Sequence, residues 1–249
     1  MSRNLFGRIA GIGEDFLGAL RGSGLPVGKV LNREYVAAWG QFKEYAADSV
    51  RTLVDVGAHE GLYACRAARY FSLSRTILVE PLPKFAGHLR KLNLPGMEVV
   101  EAALSDHVGE ASFTVNQTEQ ASSLFEVNPD MAEAYKLDMA AAEKISVRVT
   151  TLDQLAADLK LDHIDLLKID VQGAERELLR GAEKALRNTK YVQVEVLFVE
   201  HYKGCARFFE LDEILTRSGF RLSRMGDYLH SPEGALLQAD AVYFNTRFQ

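Results

Sequence analysis

The chain has 249 residues, 47% of them hydrophobic, with 29 Lys and Arg against 34 Asp and Glu and a net charge of −5. That length suits one large domain, or a domain with an appendage, that buries a full core. The acidic balance argues against nucleic acid as the main partner, because phosphate binding calls for a basic footprint. The apolar runs fall short of the about 20 residues that cross a bilayer, and the first residues lack the apolar core of a secretory signal. Cys65 and Cys205 are the only cysteines and are expected to be reduced. The expectation is a cytoplasmic protein with no transmembrane segment.

Residues 1–30 are dense in glycine, which destabilises a helix interior by roughly 1 kcal/mol per residue relative to alanine. Leu5, Ile9, Ile12, Phe16, Leu17 and Leu20 still fall near helical spacing, which predicts an amphipathic helix that needs a partner surface. Its own domain, a second copy of the chain, or a membrane would serve. Residues 35–47 predict a firmer helix with Tyr35, Trp39, Phe42 and Tyr45 on one face. Residues 1–50 are therefore expected to form a helical extension, and 51–249 the main domain.

From residue 51 the pattern alternates. Strands are predicted over 53–56, 76–80 and 97–102, with helices over 61–70 and 84–92 between them. Strands separated by helices of this length imply right-handed crossovers and a parallel sheet. The rhythm then breaks. Strands at 111–115 and 145–150 flank a polar, helical-looking insert, 116–144, expected to roof a pocket as a lid; Ser122 and Ser123 would offer hydroxyls there. Alternation resumes with a strand at 164–170, a helix at 174–187, a strand at 191–198 and a helix at 208–218. Two strands, 220–224 and 241–244, close the pattern.

The stretch Leu53-Val54-Asp55-Val56-Gly57-Ala58-His59-Glu60-Gly61 reads as a buried strand breaking into a glycine turn ahead of a helix. Gly57 tolerates a positive φ and lets the backbone pass close to a ligand. Glu80 ends the next strand with Pro81 behind it, and a carboxylate there accepts both hydroxyls of a ribose. The glycines are spaced more loosely than in a dinucleotide fingerprint, and Glu60 at the mouth would repel a pyrophosphate. A cationic sulfonium cofactor suits that mouth better. The third strand runs into Ala103-Leu104-Ser105-Asp106. Two readings fit there equally: the backbone of Ala103 and Leu104 facing an adenine with Asp106 accepting its amino group, or an ordinary turn through Ser105-Asp106-His107.

In Leu167-Lys168-Ile169-Asp170-Val171-Gln172-Gly173-Ala174-Glu175, charges interrupt an apolar strand, and Glu195 does the same in Val192-Gln193-Val194-Glu195-Val196. Buried charges are normally paired, so a salt-bridge network of Lys168 with Asp170, Glu175 or Glu195 is one reading. A functional site at neighbouring strand ends is the other, and the set as a whole favours it.

These motifs, with Val79-Glu80-Pro81 and Ala103-Leu104-Ser105-Asp106 in the same order, resemble the FkbM family of S-adenosylmethionine-dependent methyltransferases from about residue 51 to 244. The Lys168–Glu175 segment is the distinctive part. Gln172 departs from the family pattern, which favours Glu at that position, and the departure bears on substrate choice if its side chain touches substrate or a cation. The resemblance implies a Rossmann-like class I methyltransferase fold: an α/β seven-stranded, mostly parallel sheet with its last strand antiparallel and helices on both faces. It implies S-adenosylmethionine as cofactor, held by Asp55, Gly57 and Glu80; Ala58, His59 and Gly61 of the turn and Ala103, Leu104 and Asp106 of the third strand end are the further positions expected to line it. It also implies methyl transfer to a hydroxyl of a small molecule such as a sugar or natural product. Lys168, Asp170, Glu175 and Glu195 would border the acceptor. Asp170 or Glu195 is expected to be the base, with Lys168 orienting it or stabilising an alkoxide; His59 and His201 are the reserves. No residue spacing demands a metal. The competing readings are an NAD-dependent oxidoreductase and a non-catalytic module that retains the cofactor fold.

Overall fold

The computed structural model describes residues 49–129 and 141–249 together with Phe42 and Tyr45. The helix expected in residues 1–30, most of that expected at 35–47, and the centre of the insert lie outside the described residues. Ten strands are described: β1 (Thr52–Val56), β2 (Arg75–Val79), β3 (Met97–Val100), β4 (Ala103–Leu104), β5 (Gly109–Asn116), β6 (Ala141–Thr150), β7 (Ile164–Ile169), β8 (Thr189–Leu197), β9 (Phe220–His230) and β10 (Leu236–Asn245). Six α-helices accompany them: α1 (Leu62–Tyr70), α2 (Pro83–Leu89), α3 (Leu152–Asp158), α4 (Glu175–Arg180), α5 (Glu183–Arg187) and α6 (Phe208–Arg217).

Seven strands form one sheet in the order β3-β2-β1-β7-β8-β10-β9. Its first five strands run parallel, and β10 runs antiparallel to both neighbours. The sheet is seven-stranded and mostly parallel with its last strand reversed, as the resemblance implies. The order turns at β1 and β7, so their carboxyl ends open the crevice where such sheets bind ligands.

The sheet is buried on both faces. Val54, Val56, Ile77 and Ile169 pack with Leu152, Leu178, Leu186 and Leu215 from α3, α4, α5 and α6. Leu53, Leu78, Leu166 and Val242 pack on the other face with Ala64 and Ala67 of α1, and with Phe42, Tyr45 and Phe71. Phe42 and Tyr45, from the segment expected to be an extension, are thus built into the core of the main domain.

A second sheet, β4-β6-β5, sits beside the carboxyl ends, with β4 parallel and β5 antiparallel to β6. Phe113, Val147 and Val149 from this sheet pack on Leu82 and Phe85. β6 begins at Ala141, so the end of the expected insert belongs to a strand. The described part of the insert holds a short 3₁₀ turn, Glu119–Ala121.

Local differences from the sequence reading have local causes. The helix expected over 174–187 divides into α4 and α5 around Gly181. A Cβ on Gly181 would meet the Ser105 carbonyl oxygen at 2.1 Å, so backbone from the small sheet presses into the break. Asp153 then caps α5 from outside, accepting the N–H groups of Lys184 and Ala185. Helix α3 was not anticipated; Thr151 caps it by accepting the Gln154 N–H at 3.0 Å. Strands β9 and β10 extend well beyond 220–224 and 241–244 because β9 is an edge strand whose polar, exposed positions leave no apolar alternation to read.

Candidate functional site

A cavity of about 390 Å³ opens at the carboxyl ends of β1, β2 and β7, roofed by the second sheet. The turn after β1 is held to β2: the N–H groups of Gly57 and Ala58 both donate to the Val79 carbonyl, at 3.0 and 3.1 Å. Gly57 has φ +76°, and a Cβ there would lie 1.8 Å from the Asp170 carbonyl oxygen. The bare Cα was expected to admit a ligand. What presses on it is the backbone at the end of β7, which locks the two halves of the crevice together.

Glu80 sits just past β2, 5% exposed. Its Oε2 accepts the His59 N–H and its Oε1 accepts the Leu82 N–H, both at 2.9 Å. The carboxylate is fixed from behind, and its remaining lone pairs are available on the cavity wall. Burial raises its pKa against the pull of those two N–H groups. His59 has φ +49° and its ring packs on Phe85, with centroids 3.9 Å apart. Its Nε2 is buried with no hydrogen-bond partner among the described residues. Burial depresses its pKa, so the ring is neutral near pH 7. A fixed carboxylate on this wall fits a ligand carrying hydroxyls.

Ala58, Ala103 and Leu104 also line this wall. Three other positions expected to hold cofactor do not. Asp55 is fully buried beneath the floor, facing Lys168. Gly61 sits at the start of α1 with φ +78°, where a Cβ would strike Leu92 and Leu89. The Asp106 carboxylate faces outward and takes His107 Nδ1 at 2.8 Å, which lowers its pKa.

The polar end of the cavity follows from strand register. Asp55 of β1 lies opposite Lys168 of β7, and Lys168 opposite Gln193 of β8. One step further, Glu195 of β8 lies opposite Asp240 of β10. All five side chains continue the α1 face beyond its apolar cluster, because side chains two apart on a strand share a face. Lys168 Nζ lies 3.2 Å from Asp170 Oδ2, 3.4 Å from the Gly57 carbonyl and 3.5 Å from Asp55 Oδ1. Burial opposes its charge, but Asp170 and Asp55 hold the ammonium above its ordinary pKa. It also lies over the Tyr63 ring, whose hydroxyl donates to Gln193 Oε1 at 2.8 Å. Gln193 in turn donates to Asp240 Oδ2 at 3.0 Å. Burial is the main force raising the pKa of Asp55, Glu195 and Asp240, the last to about 6.

Of the four expected acceptor-side residues, Lys168 and Asp170 reach the cavity wall. Glu195 lies behind it, accepting Gln238 Nε2 at 2.8 Å. Glu175 lies beneath the Val171–Gly173 turn and accepts both of those N–H groups. Burial pushes its pKa up to about 7. His201, one of the reserve bases, is buried with its pKa lowered to about 4 and is not on the wall. Tyr63, Gln193 and Asp240 went unread in the sequence. Gln193 and Asp240 do interrupt apolar alternation as Glu195 does, and that signal was available. Ser123, expected only as a lid hydroxyl, donates to the Gln172 carbonyl and pins the insert to this turn.

The family described as the methyltransferase FkbM domain matches residues 55–222, more than half of the chain. The AMB antimetabolite synthetase AmbE of Pseudomonas aeruginosa is 30% identical over 210 residues, covering 71% of this chain and 10% of that protein. The 2-O-methyltransferase NoeI of Sinorhizobium fredii is 26% identical over 160 residues, covering 61% and 65%. The methyltransferase sdnD of Sordaria araneosa is 26% identical over 196 residues, covering 69% and 74%. The chain therefore spans a tenth of AmbE and under two thirds of NoeI. Among solved structures, the methyltransferase FkbM of Methylobacillus flagellatus is 15% identical, covering 79% of this chain and 44% of that one, with a TM-score of 0.46.

Proposed function

The chain belongs to the methyltransferase FkbM domain family, and from that premise we propose that it methylates a hydroxyl oxygen of a small molecule, a sugar or a natural-product scaffold. S-adenosylmethionine is the cofactor, and it supplies a methyl group already activated on a sulfonium. The residues present suit it: Glu80 would take the ribose hydroxyls, and Gly57, Ala58, His59, Ala103 and Leu104 would form the rest of its wall. Residues 51–249 are the catalytic domain in this reading, with 116–144 as the lid.

An alcohol is a weak nucleophile, so the protein must orient it and accept its proton. Asp170 is the base in this reading. The observation that carries it is that Asp170 alone among the clustered carboxylates of the polar end reaches the cavity wall, and it is gripped on both oxygens. Lys168 holds Oδ2 at 3.2 Å and Gln172 holds Oδ1 at 2.6 Å. The proton of the acceptor hydroxyl passes to Asp170 as the oxygen gains its new bond. The Lys168 ammonium is already engaged by Asp170, Asp55 and the Gly57 carbonyl, which favours orienting the base over stabilising a free alkoxide. The acceptor is named a hydroxyl because an oxygen nucleophile needs this proton acceptor. The relative NoeI, a 2-O-methyltransferase, supports the same choice.

The test supplies methyl-labelled cofactor and a panel of hydroxylated sugars and metabolite extracts, read by mass spectrometry. The expected product is a labelled methyl ether. Asp170→Asn should lower its rate roughly 100-fold or more while leaving binding of S-adenosylhomocysteine intact. Label recovered on nitrogen or carbon, or an unimpaired Asp170→Asn, would overturn the assignment.

A further inference from the structure

Gln172 is held at its carbonyl and at both ends of its side-chain amide. Its backbone takes φ +55°, an unusual conformation for a residue with a side chain. The N–H groups on either side of it are captured by the Glu175 carboxylate. Its carbonyl accepts the Ser123 hydroxyl from the roof. Its side-chain Oε1 accepts the Tyr202 hydroxyl. Tyr202 reaches it because Gly173 has no Cβ; one placed there would lie 2.9 Å from the tyrosine side chain. With Oε1 committed, Nε2 turns toward two carboxylates, Asp170 Oδ1 at 2.6 Å and Glu195 Oε2 at 3.4 Å.

We infer that Gln172 is a positioning residue, an amide bridge that holds Asp170 at the cavity and Glu195 behind it in one fixed arrangement, in the place a bridging cation would take. The inference rests on Asp170 being the base, which it deepens. Two carboxylates this close repel unless a donor or cation lies between them. The remaining charges facing the pair are Lys168 from β7, Asp55 from β1, Asp240 from β10 and Glu175 from α4, with His59 across the cavity and the neutral Tyr202 behind. Lys168 touches Asp170 on its other oxygen, so Gln172 is the group that joins the two carboxylates. Burial and the surrounding acids already raise the pKa of Glu195.

Thermal melts across pH 5 to 9 on the full chain read this without an acceptor. In Gln172→Met Glu195 loses the donor it shares with Asp170 and faces that carboxylate directly. The variant's Tm deficit relative to wild type should grow by about 3 °C from the acid to the alkaline end, the shift for one lost pKa unit in a domain of this size. Gln172→Glu should match wild type within a few degrees at pH 5 and fall further above pH 7. Manganese should recover part of that loss in Gln172→Glu and leave wild type unmoved. Affinity of Gln172→Met for S-adenosylhomocysteine should stay within about threefold. Melting deficits that stay constant with pH in both variants describe packing alone and overturn the bridge. A tenfold loss of S-adenosylhomocysteine affinity overturns it in favour of a cofactor contact. Failure of the hydroxyl-methylation reading would appear separately, as an absent methyl ether with these melting curves unchanged.

Discussion

Gly57 illustrates how a residue can be read correctly in type and differently in cause. A glycine was expected there for ligand access, and a positive φ does require it. Its bare Cα is in fact covered by the Asp170 carbonyl, so it closes β1 onto β7. Gly57→Ala should therefore destabilise the fold by roughly 3 kcal/mol or more, combining left-handed strain with backbone overlap. Urea melts with and without S-adenosylhomocysteine check this; a stable variant with weakened binding alone would restore the ligand-access explanation. Glu80 carries a mixed expectation. Glu80→Ala removes the lone pairs that face the cavity and also leaves the His59 and Leu82 N–H groups without their acceptor, so a stability loss of about 1–3 kcal/mol accompanies the loss of binding. S-adenosylhomocysteine affinity should fall roughly tenfold to a hundredfold, the loss of one to two charge-assisted hydrogen bonds, as read by calorimetric titration.

At the scale of elements, strand register assembles the polar end of the cavity. Lys168 and Glu195 stood out in the sequence because each interrupts an apolar run. Their partners Gln193 and Asp240 interrupt runs of the same kind, but β10 was read only from residue 241, so Asp240 fell outside it. Antiparallel pairing then sets Asp240 opposite Glu195. Burial and the nearby Asp170 raise the Asp240 pKa from about 3.8 to about 6. A folded-state pKa above the unfolded one means the stabilising protonated form is fully present below about pH 4 and lost as pH rises through 6. Asp240→Asn should remove that loss. Its stability relative to wild type should improve by about 2 kcal/mol between pH 4 and pH 7, measured by denaturant melts at both values. An unchanged difference would mean that Asp240 is not strained by its charge.

For the molecule as a whole, the parallel sheet supplies the crevice, the small sheet supplies its roof, and Ser123 of the insert is pinned to Thr114 of β5 and to the Gln172 carbonyl. A ligand enclosed this way stabilises the native state by mass action. S-adenosylhomocysteine at a hundred times its Kd should add about 2.7 kcal/mol and raise Tm by roughly 5 to 10 °C, and NAD at the same concentration should not. Thermal shift with each compound decides it, and a rise with NAD alone would contradict the cofactor. The insert looks helical in sequence; its described part holds a short 3₁₀ turn, Glu119–Ala121, and the Ser123 contact to the Gln172 carbonyl, which joins residues far apart in the chain.

Beyond the reversed last strand, which the family resemblance implied, the sequence by itself determined the alternation of strands and helices, the parallel sheet, the glycine turn, and the acidic strand end at Glu80. These follow from local rules: apolar period, turn chemistry and the spacing of breakers. It also marked Lys168, Asp170, Glu175 and Glu195 as charges that must have a reason to be buried. Only the tertiary structure decided where each of them sits. Asp170 faces the cavity, Glu195 stands behind it, Glu175 braces a turn, and Asp55 lies beneath the floor. The physical reason is that side-chain direction comes from pairing between strands far apart in the chain, and from the backbone that a glycine allows to press in. Neither leaves a mark on the residues adjacent in sequence.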